Sequence, residues 1–298
     1  MASKLMLFIT AALWGFAFVA QRHAVENLDA FTFNALRFTL GAIFVRFTLY
    51  KGFRKNADII LLPGIILFVA ASFQQIGIIY TSAGSAGFIT GLYVIFVPLI
   101  GIFRGQKPDA RVAFAILIAC AGLYFINSFE SLEMSMGNLL VLISAIFFAW
   151  HVQIVDRYSK RYSTGVLAFN QFGVCALLSF IVALQGRIWL HPFQTLSGSY
   201  FGGISAAMIP ILYGGLISVG IAYTLQIKAQ QKAEPAPAAV ILCLEGVFAM
   251  LGGYLMLSES ITIRSIIGAA LILIAMLLVI LPKKVIDRKS PVELSAQT

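Results

Sequence analysis

Ala236-Pro237-Ala238-Ala239-Val240-Ile241-Leu242-Cys243-Leu244-Glu245-Gly246-Val247-Phe248-Ala249-Met250-Leu251-Gly252-Gly253-Tyr254-Leu255-Met256-Leu257 is the stretch on which the reading of this chain turns. It is long and apolar enough to cross a bilayer as one helix. Its single charged side chain is Glu245. At a rise of ~1.5 Å per residue, Glu245 falls roughly 14 Å from the start of the span, near the midplane of a ~30 Å hydrocarbon core. A carboxyl at that depth is costly unless it faces protein or water, and it marks function unless it is a neutral or paired structural group. Helical spacing puts Ala238, Leu242, Ala249 and Gly252 on its stripe, with Val240, Leu244, Val247 and Leu251 opposite. Glu245 is therefore expected among small residues that admit a close helix or a cavity, with lipid on the other face.

Working outward, the whole chain shares this character. Of 298 residues 60% are hydrophobic and 11% charged, and mean hydropathy is +0.93. Soluble domains carry about 25% charged residues, so the chain is read as an all-α polytopic membrane protein. The net charge of +9 would suggest nucleic acid in a soluble protein. Here it is better explained by loop residues that orient the spans, and no nucleic-acid partner is expected. Cys120, Cys175 and Cys243 fall inside apolar spans, odd in number and without metal spacing. Neither a disulfide framework nor a metal site follows, and no cofactor motif is present. Lys4 followed by Leu5 to Ala20 has the look of a signal peptide, but the internal repeat described below argues that it is retained.

The hydropathy pattern predicts ten transmembrane helices, at 4–21, 31–50, 59–80, 85–103, 110–127, 137–156, 165–185, 205–228, 236–257 and 264–282. The longest connection, Gly186 to Gly203, holds Trp189, His191, Pro192, Phe193 and Tyr200 and suits the membrane interface. Placing the amino terminus inside collects the basic loops on that side. They comprise Lys4; Lys51, Arg54 and Lys55; Arg104, Lys107 and Arg111; Arg157, Lys160 and Arg161; Lys228 and Lys232; and Lys283, Lys284, Arg288 and Lys289. Only Arg22, Arg187 and Arg264 are left outside, with Glu130 and Glu133. This bias predicts an even span count in a bacterial-type plasma membrane, with both termini cytoplasmic. The tail, 283–298, is polar and expected to be disordered near lipid headgroups.

The two halves resemble each other. Trp14 with Phe33-Asn34 recurs as Trp150 with Phe169-Asn170 at one offset of 136 positions, and Gln75-Ile76 recurs as Gln226-Ile227. Arg111 with Val112 to Phe125 matches Arg264 with Ser265 to Leu278. The predicted organisation is one five-helix repeat over 1–133 and a second over 134–282. Five is odd, so the halves insert in opposite senses. Two inverted five-helix repeats around a central cavity are a transporter arrangement, with the site near the midplane.

At this point a resemblance can be named. Leu13-Trp14-Gly15, Arg37-Phe38, Val97-Pro98-Leu99, Leu244-Glu245, and Leu257-Ser258-Glu259 before Arg264-Ser265-Ile266-Ile267-Gly268 resemble, in order and over about 4–282, the EamA family of the drug/metabolite transporter (DMT) superfamily. The resemblance implies ten helices, a central cavity, alternating access, and export or exchange of small metabolites. The chain departs from it at Gly246, where members often have Pro, and at Gln106-Lys107, which replace a Glu often found after span four.

Polar and aromatic residues within spans are the candidates for the pathway. Trp14, Asn34, Arg37, Gln74 and Gln75 fall in the outer halves of their helices; Trp150, His151, Asn170, Gln171 and Gln226 fall in the inner halves. Trp14/Asn34/Gln75 and Trp150/Asn170/Gln226 are read as twin sets lining opposite ends of one pathway, unless the amides only join helices by bonds worth ~0.6 kcal/mol each. Arg37 shares a face with Asn34 and Gly41; it can pair with Glu245, hold a substrate carboxylate, or snorkel to headgroups. Tyr93 and Tyr223 suit a cavity wall. Glu245 and His151 are the candidates for proton coupling, with packing as the alternative for the histidine. Pro210, Gly214, Gly215 and Gly220 offer either hinges or close-packing sites in span eight. Spans five and ten, with Ala115, Ala119, Gly122, Gly268 and Ala275, read as scaffold or as a dimer contact, leaving monomer or homodimer open.

The function these features favour is a secondary transporter of a small-molecule substrate, amino acid-like or similar. No GxxxxGK[ST] motif occurs, so direct drive by ATP is not indicated. A membrane-embedded enzyme needs clustered ligands or a nucleophile with its base, whereas His23, His151 and His191 are scattered. A channel or lipid translocator is the remaining alternative. A channel needs a filter or charged ring that is not legible, while a lipid path could use Arg37 and the Gly186–Gly203 loop.

Overall fold

Every apolar stretch read from the sequence is helical in the computed structural model, which describes residues 2–50, 60–107, 109–126, 135–190 and 198–281. The expectations for Lys51, Arg54, Lys55, Glu130, Glu133, His191, Pro192, Phe193 and the tail 283–298, and the boundary at 133/134, fall outside those residues, as do the side chains of 186–201. The helices are α1 (Ala2–Ala24), α2 (Ala30–Thr48), α3 (Leu62–Ile79), α4 (Ala83–Gly91), α5 (Tyr93–Phe103), α6 (Ala110–Ile126), α7 (Met136–Ser159) and α8 (Thr164–Leu190). There follow α9 (Gly198–Ala206), α10 (Met208–Leu212), a π-helical segment (Tyr213–Tyr223), α11 (Thr224–Gln230), α12 (Pro235–Leu242), α13 (Glu245–Leu257) and α14 (Ile263–Ile280).

Among the described residues eight helical stretches are long and apolar enough to cross a membrane. Ala110–Phe125 is apolar but shorter, and α2 carries Asn34, Arg37 and Arg46 among its apolar residues. Within the connection expected from Gly186 to Gly203 the described residues are helical, since α8 runs on to Leu190 and α9 begins at Gly198.

Two of the expected spans are broken at mid-length. In the first, α4 stops at Gly91 and α5 starts at Tyr93, with Leu92 N–H bonding Ile89 O and Ile95 N–H bonding Leu92 O. In the second, α12 stops at Leu242 and α13 starts at Glu245, with Leu244 N–H bonding Ile241 O and Val247 N–H bonding Leu244 O. Each break is a tight turn of three-residue bonds, the kind of local change that marks a hinge. Neither has proline at the break itself. Pro98 lies inside α5, where its missing N–H leaves one backbone carbonyl without its usual donor.

Helix directions follow from close contacts. Lys4 Nζ donates to Val279 O at 2.9 Å and Ile280 O at 2.6 Å, which puts the start of α1 beside the end of α14. This end of the bundle is called the terminal end, and the opposite one the far end. Arg111 Nη1 reaches Leu281 O at 2.7 Å, so α6 starts where α14 stops. The first turn of α8 lies against the end of α2, at Gly165 and Leu49, and the first turn of α4 lies against the end of α13. The pairs α2/α8, α4/α13 and α6/α14 therefore pack antiparallel. Further contacts join α1 to α13 and to the π-helical segment, α3 to α7 and α8, α5 to α7, and α2 to the π-helical segment.

The broken pair sits at the centre. The expectation that Val240, Leu244 and Val247 face lipid is corrected: all three are buried. The reason is position, since α12 and α13 are wrapped by α1, α4, α5, α6 and α14. Only the last turns meet the exterior, through Leu251, Tyr254, Leu255 and Met256. The glycines of span eight resolve as packing sites against α2, where a Cβ on Gly215 would stand 2.6 Å from Leu40 Cβ.

Close approach of α1 to α13 depends on Gly15, where a Cβ would meet Phe248 Cβ at 2.2 Å and Glu245 O at 2.8 Å. Gly15→Ala is expected to destabilise by about 1–3 kcal/mol through overpacking. Gly173→Ala, whose Cβ meets nothing within 4 Å, should be neutral or slightly stabilising. Thermal unfolding of the two variants in detergent checks the contrast.

Candidate functional site

A small chamber lies at the level of the two helix breaks and extends toward the far end. Its volume is about 30 Å³, and it is lined by Trp14, Ala17, Phe18, Gln21, Arg37, Gln74, Thr90, Tyr93, Phe148, Ser218, Tyr223 and Glu245. That volume holds about two water molecules. The breaks bring Tyr93 and Glu245 to it, each as the first residue of the helix that resumes after the interruption.

The acid and the base of the chamber are buried and separate. Glu245 is 2% exposed and Arg37 4%. Among the described residues the ion pairs are His23–Glu26 at 3.7 Å and Lys160–Asp156 at 2.7 Å, so Glu245 and Arg37 are not paired with each other. Arg37 Nε donates to Asn34 Oδ1 at 3.0 Å, and its guanidinium lies over the rings of Phe33 at 5.2 Å and Phe38 at 5.0 Å. Cation–π contact of this kind stabilises a desolvated cation. Asn34 in turn donates to Ala71 O at 3.2 Å. Arg37 thus does not snorkel; it is held inside by an amide and two aromatic faces.

Glu245 has no such cradle. Glu245 Oε1, Tyr93 Oη and Gln21 Oε1 are buried without a hydrogen-bond partner. The Tyr93 phenol and the Glu245 carboxyl lie close enough to interact, but not in the geometry of a well-formed bond. Unmet polar groups of this kind are rare inside proteins and call for a reason. The chamber's wall is otherwise aromatic. Tyr223 is its hub, with its ring 4.6 Å from Trp14, 5.9 Å from Phe172 and 5.9 Å from His151. Trp14 Nε1 donates to Ser218 O at 3.2 Å, and Tyr213 Oη donates to Leu13 O at 3.0 Å. These bonds tie α1 to the π-helical segment, a distortion that recurs at functional sites.

Of the residues singled out from sequence, Trp14, Arg37, Gln74, Tyr93, Tyr223 and Glu245 are brought together on the chamber wall. The others lie elsewhere. Asn34 stands behind Arg37. Gln75 Nε2 turns to Gln21 O at 3.2 Å, while its neighbour Gln74 faces the chamber and bonds Thr90 Oγ1 at 3.1 Å. Trp150 is 44% exposed on the exterior, stacked on Phe147. Asn170 donates to Val166 O of its own helix at 2.9 Å. Gln226 is buried with both amide atoms unpartnered. His151 is buried, bonded to Gln171 Oε1 at 3.2 Å and edge-on to Tyr223, one layer behind the wall.

Ala17, Phe18, Gln21, Thr90, Phe148 and Ser218 complete the lining without having been singled out. Ala17, Phe18 and Gln21 follow Trp14 at the three-, four- and seven-residue spacings of one helix face, a signal present in the sequence. For Thr90 and Ser218 no comparable signal exists, since Thr90 adjoins a helix break and Ser218 lies in the π-helical segment, while Phe148 is set by the rotation of the unbroken α7.

Comparison with known proteins adds the following. The profile described as the EamA-like transporter family matches residues 1–128 and 135–281. A protein of Archaeoglobus fulgidus named "Uncharacterized transporter" is 31% identical over 280 residues, covering 93% of this chain and 85% of its own. The "Uncharacterized transporter YoaV" of Bacillus subtilis is 24% identical, covering 90% and 94%. A solved crystal structure at 18% identity superposes with a TM-score of 0.69 over 93% of this chain and 95% of its own, a likeness of fold alone.

The cradle of Arg37 yields a testable contrast. Asn34→Ala removes the acceptor of a buried guanidinium and should cost about 1.5–3 kcal/mol. Asn170→Ala, which loses only a bond within its own helix, should cost less than about 1 kcal/mol. Equilibrium unfolding of the purified variants measures both.

Proposed function

Given that the chain belongs to the EamA-like transporter family and is a multi-pass membrane protein, we propose that it is a secondary transporter. In this reading it exports or exchanges a small polar solute, amino acid-like in its charges, by alternating access. The observation that carries this is the chamber itself: a carboxyl and a guanidinium, both buried and neither in an ion pair among the described residues, facing one small space between two broken helices. A zwitterion offers a cation to Glu245, Tyr93 and Gln21 and an anion to Arg37, while Trp14, Phe18 and Tyr223 contact its apolar part. Desolvated charges bind complementary charges strongly, and the unmet atoms Glu245 Oε1 and Tyr93 Oη gain partners when such a solute enters.

The chamber is too small for that solute, so the cycle requires its walls to part. The tight turns at Leu92 and at Cys243-Leu244 are the hinges on this reading. Ten spans in two inverted repeats, divided near 133/134, provide the frame. Supporting this are the antiparallel packing of α2/α8, α4/α13 and α6/α14, the recurrence of the same break in each half, and the two segments matched by the family profile. Contacts between α1 and the π-helical segment have a counterpart in those between α3 and α7, as an exchange of halves requires. The meeting of Lys4 with the end of α14 supports an even number of crossings, and the loop charges then place both termini in the cytoplasm. Glu245 and His151 are the coupling candidates. Trp150, Asn170 and Gln226 belong to the pathway only if the terminal half rearranges during the cycle.

The test is a screen of metabolites by thermal shift on detergent-purified protein, followed by counterflow in vesicles. A ligand stabilises by mass action, by about 2.7 kcal/mol at a hundred times its dissociation constant. The compound that stabilises the wild-type chain should lose its effect in Glu245→Gln or Arg37→Ala and should exchange across the membrane saturably. Retention of binding and transport in both variants would overturn the assignment of the chamber. Intact transport with unchanged pH dependence in Glu245→Gln would remove the coupling role alone.

A further inference from the structure

The two ends of the bundle are fastened differently, and the difference centres on Glu259. This residue follows α13, at the far end. Its Oε1 accepts from Ala83 N–H at 3.1 Å and its Oε2 from Gly84 N–H at 3.2 Å. These are the first two amides of α4, which lack partners within their own helix and carry the positive end of its dipole. The site is shaped for the carboxylate. Ser258 adopts a left-handed backbone at φ 57°, which turns the chain back so that Glu259 N–H bonds Gly253 O at 3.1 Å. A Cβ on Gly253 would stand 2.3 Å from Glu259 Oε2, and one on Gly84 2.9 Å from the same atom.

The other half of the chain has a comparable left-handed turn at the terminal end, closed over five residues rather than six and with other chemistry. Gly105 takes the left-handed backbone at φ 77°, and Gln106 N–H bonds back to Gly101 O at 2.9 Å. Gln106 therefore stands after α5 as Glu259 stands after α13. Its side chain does not reach the start of α12. Gln106 Oε1 accepts from Gln153 Nε2 at 3.0 Å, and Gln153 also holds Val97 O at 2.8 Å and takes a bond from Arg104 at 2.7 Å. The first turn of α12 offers little to bind, because Pro235 and Pro237 lack N–H groups. Between Gln106 and Pro235–Pro237 lies a cavity of about 270 Å³, whose wall reaches Pro98. Pro98 is five residues along α5 from Tyr93 of the chamber, about 7.5 Å of helix.

We propose that Glu259 is a latch that shuts the far end of the pathway by clamping the end of α13 to the start of α4. Among the described residues no carboxylate clamps the end of α5 to the start of α12 at the terminal end, where Arg104 instead holds Gln153 of α7, so on this proposal the resting protein is biased toward opening between α5 and α12. The reading rests on alternating access as argued above and adds which side is favoured at rest and which residue sets the bias. The bond is charge-assisted on both amides, whereas the corresponding glutamine is neutral and engaged sideways. Glu259 is a positioning residue, since it touches two backbone amides and no part of the chamber.

The test uses the full chain in sealed membrane vesicles of both orientations and a membrane-impermeant maleimide. Two reporters are read separately: Gln21→Cys on the chamber wall, reached from the far side, and Ala236→Cys on the terminal-end cavity. The wild-type chain sets the background, its Cys175 and Cys243 being buried and Cys120 half-buried. Each reporter is combined with Glu259→Gln and with Gly84→Ala, which crowds the carboxylate without changing charge. Losing a charge-assisted bond shifts a two-state equilibrium by about tenfold. The expected result is reciprocal: far-side labelling of Gln21→Cys rises by up to that factor and terminal-side labelling of Ala236→Cys falls. Unchanged rates in both variants, or rates that rise together as in a loosened fold, overturn the latch. Failure of the transport reading has a different signature, namely wild-type reporter rates that no solute from the metabolite screen alters.

Discussion

A bilayer interior offers no water to a polar group, so every donor and acceptor in this bundle must be met by another part of the protein or be reserved for something that enters it. Most are met at once. Lys4 closes the last carbonyls of α14, Asn34 bridges Arg37 to Ala71 O, and Gln153 ties α7 to the carbonyl of Val97 in α5. Groups left unmet are therefore informative by their place. Glu245 Oε1, Tyr93 Oη and Gln21 Oε1 share one chamber at the centre of the bundle, whereas others, such as Ser72 Oγ and both amide atoms of Gln226, lie away from it. A carboxyl kept there without a partner destabilises the closed state unless the open state gains from it, which is the thermodynamic sense of a binding site.

The same constraint explains the form of the broken helices. Interrupting a helix in hydrocarbon exposes backbone groups, and the interruption is tolerated only where protein surrounds it. Both breaks lie in the most enclosed part of the molecule, and both recover their bonds through short three-residue turns. The reward is geometric: each break turns the first residue of the resumed helix, Tyr93 or Glu245, toward the chamber. One straight helix could not present its side chain and also pass so close to α1 at Gly15.

Kinship of backbone between the halves does not extend to chemistry. Gln106 and Glu259 occupy comparable turns, yet one is a neutral amide bonded sideways and the other a carboxylate bonded to two helix amides. In the proposed cycle, related backbones in the two halves make two end states available. Unequal side chains at the two ends of the bundle decide how often each is visited, because an equilibrium responds only to differences between states.

The sequence by itself determined the membrane class, the positions of the helical stretches and the likeness of the two halves. These follow from composition, hydropathy and offset, which are properties of a chain read in one dimension. It also offered Trp14, Arg37, Tyr93, Tyr223 and Glu245 as separate pathway or cavity candidates, because a costly residue within a span needs a reason, and the fold brings these five to one chamber wall. Tertiary structure alone decided which face each helix turns inward. Trp150 looks outward although its first-half counterpart Trp14 looks in, Gln74 rather than Gln75 meets the chamber, and Val240, Leu244 and Val247 are buried. The physical reason is rotation about the helix axis: one residue is about 100°, and a break or a π-helical turn adds an angle that hydropathy does not record.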